Sequence, residues 1–211
     1  MLSPMNITAA DELEATLHFN QVILGKPYTG SVSEYIQIKR MLTDSQGSVG
    51  VEDALCLLLK IKKFETKHGF DAIDEKTGIF YELKPSKKLT PTATYNDASD
   101  EKIFKIKSCD NRLIFATIID TRLIFVGEVD GQKLVELLEE KYLKRKAEIK
   151  KNIKEGKEAG TRQVQKVTPN QLIERFGANC IKVIYYFPHD KFNKNTKKFL
   201  NLTKEVNNLP A

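Results

Sequence analysis

Asp71, Glu82 and Lys84 have the types and spacing of a hydrolytic metal site. Glu82-Leu83-Lys84 ends the run Ile79-Phe80-Tyr81-Glu82-Leu83-Lys84, rich in strand formers. Alternation along a strand puts Glu82 and Lys84 on one face and Tyr81 and Leu83 on the other. Phe70-Asp71-Ala72-Ile73 and the turn Asp74-Glu75-Lys76-Thr77-Gly78 complete a β-hairpin. A bulge at Gly78 would shift its register by one, so Asp71 falls opposite Tyr81 or Glu82; either way it comes close to Glu82. Two carboxylates converging in a half-buried sheet repel each other and resist desolvation, and a divalent cation relieves both costs. Oxygen ligands with open positions suit Mg²⁺, which keeps waters and meets substrate phosphate. The lysine can orient or deprotonate the attacking water, or stabilise charge on the phosphorus centre. The competing reading makes Glu82 and Lys84 an exposed cross-strand ion-pair ladder and Asp71 a turn residue.

Other candidates are weaker. Asp74 rivals Asp71 but sits in the turn, where Asp bonds the backbone. Glu52 opens a helix, where an acid complements the macrodipole. His18, His68 and His189 are scattered, and of these only His68 lies near the motif. Cys56, Cys109 and Cys180 form no ligand pair; their number and spacing argue against zinc and a disulfide framework and predict a reduced, intracellular setting. No apolar run reaches the ~18 residues a membrane span needs, and Met1 to Ala10 lacks the features of a secretory signal.

Asp71, then ten intervening residues, then Glu82-Leu83-Lys84 within a strand–turn–strand, resembles the PD-(D/E)xK nuclease motif found in restriction endonucleases and Holliday-junction resolvases. Asp71 matches the first acidic position, Glu82 the second and Lys84 the lysine; Phe70 stands where the motif has proline. The motif covers residues 69–84, and the element order extends the match over about 51–129. The resemblance implies a restriction-endonuclease-like fold, Mg²⁺ (with Mn²⁺ substituting) held by Asp71 and Glu82, and catalysis by Asp71, Glu82 and Lys84. Related nucleases often add an acidic residue from the preceding helix, which would make Glu52 a third metal ligand. A type II restriction enzyme would act on duplex DNA as a homodimer, with a companion DNA methyltransferase. The alternative is an inactive or nonspecific DNA-binding protein that retains the fold. A basic RNA-binding protein would account for the charge but not for the converging carboxylates.

The elements that must position these residues follow from periodicity and breakers. Helices are predicted at 11–23, 33–42 and 51–64, then the hairpin, then a helix at 97–107. Strands at 113–119 and 123–129 form a second hairpin. A long helix spans 135–154, and 162–167 reads as an edge strand. Thr168-Pro169 starts a helix that ends at Phe176-Gly177. The apolar run 181–187 predicts a strand buried on both faces, and a last helix follows residue 193. The sum is an α/β (α+β) fold, a mixed sheet flanked by helices. One domain of 211 residues is expected, with an N-terminal helical segment (1–50), a catalytic core (51–130) and a basic DNA-binding helix with a closing strand (131–211).

The net charge of +6 is unevenly placed. Residues 131–211 hold 18 basic and 9 acidic side chains, which points to a polyanion-binding surface in that third. Lys144, Lys151 and Lys154 share a helix face and are candidate phosphate contacts. Arg162, Gln163 and Gln165 have the bidentate geometries for guanine and adenine edges and are candidates for base readout.

Overall fold

The computed structural model describes residues 33, 36–38, 41, 49–65, 69–87, 91–96, 98–119, 122–157, 164–186 and 194–207. The expected helix at 11–23 lies outside them, whereas the described residues within 33–42 are helical, with Ile36 and Ile38 buried.

Helix α1 runs Val49–Leu59, ending before the predicted residue 64. Lys60 adopts a left-handed φ of 55°, Ile61 N–H donates to the Cys56 carbonyl and Lys60 N–H to that of Leu57. This cap is usually built on glycine, so no residue type announced it. The chain then enters strand β1 (Lys62–Lys63), which pairs with β2 (Ala72–Ile73) and that with β3 (Phe80–Ser86), both antiparallel. The expected hairpin is therefore present. Its turn has Asp74 Oδ1 accepting from Lys76 N–H at 2.9 Å and Oδ2 from the Thr77 hydroxyl at 2.8 Å, with Gly78 at φ 74° closing onto the Asp74 carbonyl. Asp74 is thus spent on the turn.

Strand β4 (Ala93–Tyr95), which periodicity missed, precedes helix α2 (Asp100–Lys107). Strand β5 (Asn111–Ile119) lies parallel to β3, and β6 (Arg122–Asp130) returns antiparallel to it. Helix α3 (Gly131–Lys154) starts earlier than expected because Asp130 caps it, accepting from Gln132 N–H at 2.7 Å. Strand β7 (Gln165–Val167) pairs with β4 in a separate two-stranded ribbon. Helix α4 (Pro169–Phe176) carries the predicted start, a Thr168 capping box with Pro169 in the first turn. A short 3₁₀ turn (Ala178–Cys180) leads to β8 (Ile181–Tyr186), and α5 (Lys194–Asn207) follows.

The main sheet has the order β1-β2-β3-β5-β6-β8, antiparallel except between β3 and β5. The strands buried on both faces are β5, where every residue from Leu113 to Ile118 is buried, and β6, where Leu123 to Gly127 are. The expectation for 181–187 is corrected: β8 takes an end of the sheet, and its burial alternates because Lys182 interrupts the apolar run. Helix α1 packs over Leu83, Ile114, Ala116 and Val126 on one face. Helices α2 to α5 cover Leu113, Phe115, Phe125 and Val183 on the other, where Phe199 meets Phe125 edge-on at 5.2 Å. The result is a mixed α/β fold in three layers. Among the described residues no helix is long and apolar enough to cross a membrane.

Candidate active site

Strand β3 sends Leu83 into the core under α1, so Glu82 and Lys84 project from the opposite face, toward α2 and β4. The register pairs Ala72 with Tyr81, and Asp71 lies one residue beyond the last pair of that ladder. Asp71 N–H donates to the Tyr81 carbonyl at 2.9 Å, and the Asp71 carbonyl accepts from Phe64 N–H at 2.9 Å. Its carboxylate also accepts from Leu83 N–H at 2.7 Å, fixing the side chain against β3. Gly69, at φ 123°, turns the chain into this position. Phe70, standing at the motif's proline position, is buried and stacks on Phe80 at 5.2 Å. An aromatic anchor thus holds the approach to Asp71.

Lys84 Nζ lies 2.5 Å from Glu82 Oε1 and 3.9 Å from Asp71 Oδ2, so one ammonium bridges both acids. The Glu82 side chain is 11% exposed. Burial pushes its carboxyl above the ordinary glutamate range; Lys84 opposes that shift and Asp71 reinforces it. Glu52, in the first turn of α1, is raised by burial and by the negative charge of Asp71, and its carboxylate lies 3.5 Å from Lys63 Nζ. Lys63 also holds Asp53 at 2.7 Å. Glu52 therefore borders the cluster with its own cation.

Asp71 and Glu82 offer oxygen donors in a pocket where two acids share one lysine. That set fits a hard cation which retains several waters. Among the described residues no group of three or more His, Cys, Asp and Glu side chains is arranged to hold a metal ion. A metal here would accordingly rest on Asp71 and Glu82, with Glu52 outside the immediate pair.

Lys144, Lys151 and Lys154 are exposed on one face of α3, C-terminal to its last buried residue, Tyr142. Tyr142 is the last buried residue of that helix, so its final 12 residues extend about 18 Å past the core. Lys151 lies 3.9 Å from Glu155. Other basic residues of α3 serve the fold instead: Lys141 donates to the Lys166 carbonyl and Gln171 Oε1, and Lys146 pairs with Asp100 at 2.8 Å. Arg162 and Gln163 lie outside the described residues, as do all three histidines. Gln165 is corrected as a base-reading candidate: it is 7% exposed, on β7 opposite Tyr95, with its side chain turned into the protein. The spacing argument assumed an open strand, whereas β7 is covered.

Sequence reasoning missed two neighbours of the acids. Tyr95 of β4 is fully buried, and the ammonium groups of Lys84 and Lys102 lie 5.5 and 5.4 Å from its ring centre. No local pattern links residues 95 and 102 to the motif, because tertiary packing alone brings them there. Neither a protein-family model nor a curated protein matches the chain.

The raised carboxyl of Glu82 makes stability depend on pH. The folded state holds this proton more tightly than the unfolded chain, so stability falls as pH rises from the ordinary glutamate range through the raised value. Glu82→Gln mimics the neutral acid and lacks that loss. In EDTA, urea denaturation should show its stability gaining on the wild type as pH rises above the ordinary glutamate range. A constant difference over that rise would mean that Glu82 is not held as a buried acid.

Proposed function

We propose that the protein is a Mg²⁺-dependent endodeoxyribonuclease that hydrolyses phosphodiester bonds of duplex DNA, in the manner of a sequence-specific restriction enzyme. The observation that carries this reading is the convergence of Asp71, Glu82 and Lys84. The Asp71 carboxylate is held against β3 by Leu83 N–H, and one lysine reaches both acids. The surrounding order supports it: a helix, the antiparallel strands bearing the motif, a second helix, then a strand pair whose first member runs parallel to β3. This is the order the resemblance to PD-(D/E)xK nucleases implies, with a restriction-endonuclease-like core.

When bound, Mg²⁺ would supply positive charge to the scissile phosphate and increase the acidity of a water. Asp71 and Glu82 would hold it. Asp71 is held in place for that task by Leu83 N–H, and Glu82 by its position on β3. Lys84, two residues after Glu82 on the same face, would orient the attacking water and take up or balance its proton. The exposed face of α3 would contact phosphates through Lys144, Lys151 and Lys154, contacts that position the duplex without reading it. Action on both strands calls for a homodimer, and a restriction role for a companion DNA methyltransferase. A protein that binds DNA without cutting it is the alternative, and the same experiment separates the two.

Plasmid DNA incubated with the protein in Mg²⁺ should give discrete fragments, and none in EDTA. Lys84→Ala should lose cleavage by about 10²–10³-fold, the scale of a lost transition-state contact, yet retain duplex binding in a gel shift. Full cleavage by Lys84→Ala would sink the assignment, and a shift without cuts in the wild type would favour the binding protein.

The α3 surface has its own test. Joint replacement of Lys144, Lys151 and Lys154 by Gln should weaken binding to all duplexes alike. The slope of log K against log salt should shrink by roughly 0.9 per lost phosphate contact. An unchanged slope would place DNA elsewhere.

A further inference from the structure

We propose that Lys102 is a phosphate-contacting cation of this site, held near the same Tyr95 ring as Lys84. The inference rests on the nuclease reading and extends it by a residue outside the Asp71/Glu82/Lys84 motif. Lys102 occupies the first turn of α2, three residues after the N-cap Ser99, whose side chain accepts from Lys102 N–H at 3.1 Å. That is the position where Glu or Gln would complete a capping box, and where the helix macrodipole disfavours a cation. The preceding Asp100 and Glu101 follow the local preference; Lys102 goes against it. Helix stability therefore gives no reason for the ammonium.

Its surroundings do. Lys102 Nζ sits 5.4 Å from the Tyr95 ring centre and Lys84 Nζ 5.5 Å from the same centre. Among the described residues Lys102 has no ion-pair partner, in contrast to Lys84 with Glu82 and Lys63 with Asp53. The ring that supports both ammonium groups is 1% exposed, and among the described residues its buried hydroxyl has no hydrogen-bond partner. A fully buried tyrosine with an unsatisfied hydroxyl is a costly platform. It is explained if the ring face is needed to hold two cations by cation–π attraction.

The charge count points the same way. Asp71 and Glu82 put two acids at the site, and Lys84 is committed to them. A phosphodiester gains negative charge on its equatorial oxygens in the transition state. The Lys102 ammonium, without an ion-pair partner among the described residues and near the same ring as Lys84, would meet a non-bridging oxygen there.

Two readouts test this on the full chain. The first is acylation of lysines in EDTA, followed by mass spectrometry, with and without a duplex oligonucleotide. Lys102 should be shielded by the duplex, whereas Lys62, an exposed residue paired with Glu75, should label equally in both. The second is single-turnover plasmid cleavage in Mg²⁺. Lys102→Gln should slow it by about 10–100-fold with a much smaller change in duplex affinity, and Lys102→Arg should restore most of the rate. Equal labelling of Lys102 with and without DNA overturns the proposal, as does undiminished cleavage by Lys102→Gln. A wild type that fails to cut while Lys102 is still shielded overturns the nuclease reading and leaves the phosphate contact standing.

Discussion

Two carboxylates facing each other across neighbouring strands, with one lysine between them, form the constraint on which the rest of this site depends. Lys84 reaches Glu82 at 2.5 Å and Asp71 at 3.9 Å, and the Glu82 side chain is almost entirely enclosed. Such a cluster is expensive, since like charges repel and burial penalises ions. It persists because the backbone over-determines it. Asp71 is held by three hydrogen bonds, one of them from β3 itself to its carboxylate. Glu82 cannot turn away without sending Leu83 out of the core beneath α1.

The fold supplies the rigidity this arrangement needs. Strand β3 lies between β2 and β5, and β5 is buried on both faces through most of its length. A parallel pair at the centre leaves room for α2 to cross over between β3 and β5. That crossover is what carries Lys102 to the acids. The β4–β7 ribbon closes the same face and brings Tyr95 beneath both ammonium groups. The site thus draws on α1, the β2–β3 hairpin, β4 and α2, elements spread over some fifty residues of chain.

Much of this was legible in the sequence because its signals are local. Alternation in 79–84, the turn ending at Gly78 and the Thr168-Pro169 start each act through neighbouring residues, and each appears where predicted. Asp74 was read as a turn residue, and its carboxylate is engaged there. The misreadings share a different cause. The left-handed Lys60 uses a residue with no preference for that conformation, so α1 was drawn too long. The β4–β7 pairing joins residues about seventy positions apart, which no window along the chain can detect. That pairing buried Gln165, which spacing alone had placed among groove-reading side chains. The hairpin register was open between Tyr81 and Glu82; Ala72 pairs with Tyr81, and the Asp71 N–H bonds to the Tyr81 carbonyl as well.

The central claim is that Asp71 and Glu82 together hold a divalent cation. Calorimetric titration of Mn²⁺ into the protein without DNA tests it most directly. The account predicts binding in the wild type that is weakened in both Asp71→Asn and Glu82→Gln, and retained in Asp74→Asn. Binding that survives both substitutions unchanged, or that is lost in Asp74→Asn, would contradict it.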